Sequence, residues 1–302
     1  MKAINIFDVI IIGGSYAGLS SALILGRSLR NVLVIDSGKP CNRQTPHSHN
    51  FLTQDGKTPK EISTIAKKQV KKYKTVHFYD GIAVNGKKNN AGFKIETESG
   101  DIFYSKKLIF ATGIKDIMPD IKGFSECWGI SVIHCPYCHG YEFHGKKTGI
   151  MSNGDHAIHM ASLVNNLTKH STLFTQGKAD FNTEQISKLN KHHIKIQEEE
   201  ITEIEHTNGY LTNVILTNGE KLTLDAMYAH VPFSQHCTIP QKLGCELTES
   251  GHIKINEFQQ TTIHGIYACG DNTTLMRSVA NAVFGGNVAG AMVNKELTDE
   301  QF

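Results

Sequence analysis

The stretch FDVIIIGGSYAGLSSALILGRSLRNVLVIDSG, residues 7–38, decides how this sequence is read. Residues 9–12 form an unbroken apolar run, the mark of a strand buried on both faces. Gly13, Gly14 and Gly18 follow. Glycines between a strand and a helix permit a tight reversal and close helix packing, and the helix N-terminus then receives a pyrophosphate. Asp36 ends the second apolar run, 36 − 13 = 23 positions after Gly13. An acid there meets the ribose hydroxyls of an adenosine. Ser15 replaces the second glycine of G-x-G-x-x-G. It adds only a small side chain, whose hydroxyl can itself bond a phosphate. A lone glycine motif is a weak signal, but strand, turn, helix, strand and acid in order are a strong one.

The chain has 302 residues, enough for about two domains. Its formal net charge of +2 is too balanced to point to nucleic acid or a membrane surface. Seven cysteines, an odd number in a long chain, do not make a disulfide framework. Asp8 interrupts the N-terminal apolar run and Gly13 closes it, so no secretory segment is read there. No apolar run approaches the length of a membrane span. The expectation is a cytoplasmic protein with no membrane and no nucleic-acid partner.

A second stretch carries chemistry. HCPYCHGYE, residues 134–142, places Cys135 and Cys138 two residues apart with His134 and His139 beside them. The spacing suits a redox pair, a zinc cluster or a c-type haem attachment. Haem attachment needs export, which nothing here signals. The adjoining histidines close a zinc tetrahedron poorly. Pro136 suits the first turn of a helix, whose N–H groups lower a thiol pKa.

Two further strand ends complete the pattern. LIFATGIKDIMP, residues 108–119, ends its apolar strand in Ala111, Thr112 and Gly113. HGIYACGDNTTLMRSVANAVFGGNVAGAMVNKEL, residues 264–297, ends its strand in Gly270 and Asp271 before a helix. These resemble the second and third FAD signatures of two-dinucleotide-binding flavoproteins. The CxxC lies 135 − 113 = 22 positions past Gly113. The whole is similar to the low-molecular-weight thioredoxin reductases. Within them, GGSYAGLSSA, HSHNFL and CPYCHGYE resemble the branch holding dithiol oxidases of the gliotoxin-oxidase type.

The resemblance implies an α/β fold of two Rossmann-like three-layer domains. Residues 1–115 and 236–302 would form a discontinuous FAD domain, and 116–235 an inserted domain carrying the CxxC. It implies FAD held by Gly13, Gly14, Ser15, Gly18, Asp36, Ala111, Thr112, Gly113, Gly270, Asp271, Arg277, Ser278 and Val279. The helix from Ser278 would direct its N-terminus at the N1–C2=O edge of the flavin, where reduced flavin is negative. The small residues Ala282, Gly285, Gly286, Ala289 and Gly290 on this helix read equally well as plain helix packing. Cys138 would be the sulfur next to the flavin and Cys135 the one that exchanges with substrate. His139 occupies the position of an aspartate in thioredoxin reductases, and its ordinary pKa near 6.5 suits a proton carrier. His47 and His49 lie in a loop of the FAD domain and read either as structural loop histidines or as residues that approach the active site. A homodimer is implied as well.

The inserted segment departs from the pattern. KTGIMSNGDHAIHMASLVNNLTKHSTLFTQG, residues 147–177, is a second strand–turn–helix, but Ser152 replaces the first glycine. Asp155 reads as the helix cap, where it would repel a pyrophosphate. After the strand come Gln176, Gly177 and Lys178, with neither an arginine pair for a 2′-phosphate nor an acid for a 2′-hydroxyl. NADPH binding is therefore expected to be lost or weak. In the N-terminal part, Thr58-Pro59-Lys60-Glu61 reads as a capping box. Residues 80–108 read as a meander with turns at NGKKNN and ESGD. The expected activity moves electrons between FAD and a dithiol, disulfide or thioredoxin-like substrate, with O2 or a small electron carrier at the other end. The alternatives are a divergent NADPH-dependent thioredoxin reductase and a non-catalytic redox sensor.

Overall fold

Alternation within one apolar run builds the first sheet. Val9 and Ile11 enter one buried cluster, while Ile10 and Ile12 enter another. Successive side chains of a strand face opposite ways, so the strand is covered on both faces. Burying each such side chain stabilises by about 1.5–3 kcal/mol. The structure, a computed structural model, describes residues 6–90 and 92–302.

In chain order the elements begin with β1 (Ile6–Ile12), α1 (Tyr16–Arg27), β2 (Val32–Asp36), α2 (Pro59–Val70) and β3 (Val76–Asp80). Next are β4 (Ala83–Asn89), β5 (Gly92–Thr97), β6 (Ile102–Phe110), β7 (Ile114–Asp116), α3 (Phe124–Cys127), β8 (Val132–Ile133) and α4 (Pro136–His139). A 3-10 turn at Tyr141–Phe143 leads to β9 (Thr148–Met151), α5 (Gly154–Leu167), β10 (Ser171–Phe174), α6 (Thr183–Lys191) and β11 (Lys195–Gln197). There follow β12 (Ile201–Thr207), β13 (Tyr210–Leu216), β14 (Lys221–Thr223) and β15 (Ala226–Ala229). The chain ends with β16 (Phe233–Gln235), α7 (Ile239–Lys242), β17 (Ile266–Ala268) and α8 (Val279–Asp299).

Two compact units result. The first comprises the chain up to Arg43, Phe51–Lys115 and Phe233–Phe302. Its sheet runs β3-β2-β1-β6-β5-β4, with β17 also on β6. Strands β3, β2, β1, β6 and β17 pair in parallel, and β4-β5-β6 are antiparallel. Helices α1 and α8 cover one face with Ala17, Leu25, Ala289 and Val293. Gly286 and Gly290 make their contact close: an added Cβ would stand 2.1 Å from Ala17 O or 2.3 Å from Ile24 Cγ2. At Gly286 and Gly290 these contacts are the plain helix packing that the small residues allow. Lys107 is buried at the foot of β6, where its Nζ meets Glu296 at 2.6 Å and Glu300 at 2.5 Å.

The capping box forms as the sequence indicated, with Thr58 Oγ1 accepting from Glu61 N and Glu61 accepting from Thr58 N. The expected turn at NGKKNN is corrected. Gly86 and Lys87 pair with Ile95 and Lys94 inside β4–β5, so the strand continues to Asn89. Gly86 is a packing glycine, since a Cβ there would lie 2.5 Å from Ile239 Cγ2.

The second unit comprises Gln44–Asn50 and Asp116–Pro232. A parallel sheet runs β11-β10-β9-β15-β8, beside a separate antiparallel β12-β13-β14. The two-sided rule recurs here. Ile150, Leu173 and Tyr228 enter one cluster, and their neighbours Met151, Phe174, Met227 and Ala229 the other. The loop 44–50 joins this unit, contrary to its reading as part of the FAD domain. Gln44 and Thr45 lie on Gly129, within 3.0 and 3.2 Å of its missing Cβ.

Candidate active site

In the first unit, the turn after β1 is shaped by its neighbours. Gly13 has φ +103°, and a Cβ on it would stand 2.2 Å from Ala111 O. A Cβ on Gly18 would stand 1.8 Å from Gly13 O. Both positions exclude any larger residue. Gly14 donates its N–H to Asp36 Oδ1 at 3.0 Å and lies against that side chain. Ser15 is the N-cap of α1 but makes no side-chain capping bond, and the first turn holds no acid. An anion is therefore favoured at this helix start.

The other predicted cofactor residues lie at the ends of neighbouring strands. Ala111, Thr112 and Gly113 follow β6, and Gly270 and Asp271 follow β17. Asn272, which the sequence reading passed over, ties the two strand ends together. It is fully buried, and its Nδ2 donates to Phe110 O at 2.9 Å and Thr112 Oγ1 at 3.3 Å. Its Oδ1 has no partner. Arg277 Nε lies 3.7 Å from Asp271 Oδ2. Exposed Cys41 also donates to Asp271. Ser278 caps α8 by accepting from Asn281 N at 3.1 Å, so Val279 is the first helical residue. The glycine cradle, the uncapped helix start and the orphaned amide oxygen fit a dinucleotide cofactor.

In the second unit, Cys135 and Cys138 form a disulfide. Cys135 is the N-cap of α4, and Pro136 occupies the first turn. The Cys138 N–H donates to Cys135 Sγ at 3.2 Å, a bond that also favours a thiolate there after reduction. Gly140 lets this segment pack closely on α5 and β15, because a Cβ would meet Leu167 Cδ1 at 2.4 Å and the Tyr228 hydroxyl at 3.1 Å. Tyr228 stands beneath it, its phenol pushed up by burial and by Glu142. The remaining buried thiols are held protonated: burial pushes Cys127 up to about 11 and Cys269 up to about 12. Cys237 and Cys245 are raised for the same reason.

His139 follows the second cysteine, and His49 lies beside it. The two rings meet edge to face at 6.3 Å, and His49 Nε2 is 3.3 Å from Glu142 Oε1. Burial pushes His139 below its ordinary value; Glu142 draws it partly back, and His49 lowers it further. Of the two readings of His49, the structure shows the one in which its loop brings it to this cluster. No local signal in the sequence announced that, since it is brought in from 90 positions away (139 − 49).

The second strand–turn–helix corrects two expectations. The cap of α5 is Asn153, not Asp155. Asn153 Oδ1 accepts from Gly154 N and from Asp180 N, both at 2.9 Å. Asp155 lies in the first turn and accepts from Gln185 Nε2 at 2.7 Å. An acid does stand near this turn: Asp180 Oδ2 lies 3.9 Å from where a Gly154 Cβ would be. Ser152 Oγ lies 3.0 Å from His156 Nδ1, and the His156 and His230 rings are 4.8 Å apart.

Two Rossmann-like units, one with a dinucleotide cradle and the other with a CxxC disulfide, define a class of flavin disulfide oxidoreductases. The family model for pyridine nucleotide-disulphide oxidoreductases matches residues 7–286, and the chain belongs to that family, on its low-molecular-weight thioredoxin reductase-like side. It is 33% identical to the thioredoxin reductase tcpT of Claviceps purpurea, over 98% of this chain and 96% of that protein. It is 30% identical to the thioredoxin reductase sirT of Leptosphaeria maculans, over 96% and 94%. The crystal structure of an oxidoreductase from Agrobacterium tumefaciens superposes with a TM-score of 0.91 at 38% identity, covering 97% of this chain and 99% of that one. The chain is therefore an enzyme, a flavin disulfide oxidoreductase. Among the described residues, no helix is long and apolar enough to cross a membrane.

Proposed function

We propose that the enzyme moves two electrons between FAD and a small dithiol or disulfide through Cys135 and Cys138, without tight NADPH binding. The first unit, with domain limits near 115 and 236, holds FAD through the glycine turn, Asp36, the Ala111–Gly113 strand end and Asp271. The carrying observation is the Cys135–Cys138 disulfide on α4 with the His139–His49–Glu142 cluster beside it. Bound FAD supplies the two-electron carrier that links this disulfide to an acceptor such as O2, or to a donor such as a small carrier protein.

In the dithiol direction, a substrate thiolate attacks Cys135 Sγ and the Cys135–Cys138 bond breaks, releasing a thiolate at Cys138. The second substrate sulfur then attacks the mixed disulfide, freeing substrate disulfide and leaving two reduced cysteines. Neutral His139 accepts the proton from the attacking thiol and returns it to a leaving sulfur. Its lowered pKa keeps it in the accepting form at neutral pH. We place the protein in the cytoplasm, as a homodimer.

Weak NADPH binding is supported by the second turn. The α5 start is capped by Asn153 and carries Asp155. A carboxylate 4 Å from a pyrophosphate charge costs about 1–4 kcal/mol, depending on the local dielectric. The test is anaerobic titration of the FAD-loaded protein with NADPH, NADH and dithiothreitol in turn. Dithiothreitol is expected to bleach the flavin readily and NADPH slowly or not at all. Rapid stoichiometric bleaching by NADPH would return the protein to a divergent NADPH-dependent thioredoxin reductase.

A further inference from the structure

The segment that carries the redox disulfide exposes two aromatic side chains. Tyr137 lies between the two cysteines and is 70% exposed; Tyr141 is 77% exposed. The backbone stays right-handed helical from α4 through Gly140 into the 3-10 turn, so a spacing of four puts both rings on one side. Neither phenol hydroxyl takes part in a hydrogen bond among the described residues. Tyr141 is held in place by stacking on His144, with ring centroids 5.1 Å apart and planes at 30°. His144 Nδ1 lies 2.6 Å from Tyr141 O and is the donor of that contact. The fold does not require either ring in this position. Phe143, between them and His144, supplies the core contact of this segment.

Fixed charge is sparse in the segment that carries the disulfide and both tyrosines. Residues 129–145 contain no lysine or arginine, and their one acid, Glu142, is turned to His49. This segment by itself offers little fixed charge for a partner recognised through charge complementarity. Exposed tyrosines offer a large, rigid contact area at low entropy cost.

We propose that Tyr137 and Tyr141 are specificity-determining residues. They form an aromatic contact that selects neutral substrates bearing a flat apolar body next to the sulfur pair. This deepens the reading above and rests on it for Cys135 as the exchanging sulfur. The tyrosines hold the ring of the substrate beside Cys135, while the sulfur exchange itself follows the steps already given.

The experiment compares benzene-1,2-dimethanethiol with dithiothreitol as reductants of the FAD-loaded enzyme. Both carry two thiols, and only the first carries a ring. The readout is the ratio of their half-saturating concentrations for anaerobic flavin bleaching. Tyr137→Ala and Tyr141→Ala are each expected to shift that ratio about tenfold against the aromatic dithiol, equivalent to about 1.4 kcal/mol. Tyr137→Phe and Tyr141→Phe keep the ring and are expected to keep the ratio. An unchanged ratio in both alanine variants overturns the proposal. So does an alanine effect confined to a thioredoxin substrate, which would mark a protein-docking face instead. If neither dithiol bleaches the wild-type flavin, the reading of the reaction falls. The surface is then judged alone by calorimetric binding of 1,2-benzenedimethanol, the same ring without thiols. Binding lost in the alanine variants supports the aromatic contact, and no binding to wild type overturns it.

Discussion

The β1–α1 turn of the first unit and the β9–α5 turn of the second share one topology and differ in what meets the helix start. At α1 the cap residue Ser15 makes no side-chain bond, and no acid enters the first turn. At α5 the chain satisfies its own amide: Asn153 accepts from Gly154 N and Asp180 N, and Asp155 adds a carboxylate. The first arrangement leaves N–H groups and a partial positive charge available to an anion, and the second neutralises them locally. A strand–turn–helix is therefore a scaffold for nucleotide binding and not by itself a nucleotide site.

The contrast is broken most directly by adding side chains at the two turns. Gly18→Val places a Cβ against Gly13 O and is expected to abolish FAD retention, read as loss of visible flavin absorbance after purification. Gly154→Ala meets only Asp180 Oδ2 at 3.9 Å, but Gly154 has φ +60°. It should leave FAD content intact and cost about 1–2 kcal/mol in the second unit, visible as a lower thermal midpoint. Equal FAD loss in both variants would refute the difference between the turns. At the next level, Asp36→Ala is expected to weaken FAD about tenfold, because Gly14 N loses a charged acceptor. Isothermal titration of the apoprotein measures it.

Asn153→Ala sharpens the same comparison from the other side. Losing the α5 cap should cost about 1 kcal/mol without changing FAD affinity. Denaturant melts paired with flavin titration separate the two readouts. The smallest expected effect is on pH. Burial, with His230 and His159 nearby, pushes His156 below its ordinary 6.5. The unfolded chain then binds the proton more readily than the folded one. Stability should be fully present above about pH 6.5 and decline as pH falls through the lowered value. His156→Gln should flatten that acid-side slope in thermal melts of the second unit, and an unchanged slope would assign it to other groups.

Much of this arrangement was legible because its signals are local. Residues 58–61 contain every group of their capping box, and residues 9–18 contain the strand, the turn and its glycines. What was illegible depends on partners distant in sequence. Asp155 and Asn153 are both good cap residues, and the choice was made by Asp180 N, 27 positions beyond Asn153. Gly86 resembles a turn glycine until Ile239 is packed on it. Asn272 gives no sign in sequence that its amide will join two strand ends. His49 resembled an ordinary loop histidine because its partners Glu142 and His139 come from a segment folded against it.

The glycine contact between α1 and α8 also bears on how the chain is made. Ser20 and Ser21 donate to Val283 O and Gly286 O, bonds that close 263 and 265 positions apart. During synthesis, the β1–α1 turn cannot receive these partners until the intervening 263 positions have emerged. Most of the second unit is one uninterrupted stretch, Asp116–Pro232, and has its sheet partners long before that. The order of translation and the order of completion are thus reversed. Strand β1 waits for its covering helix α8, exposed to chaperones and to aggregation, while the intervening chain is made.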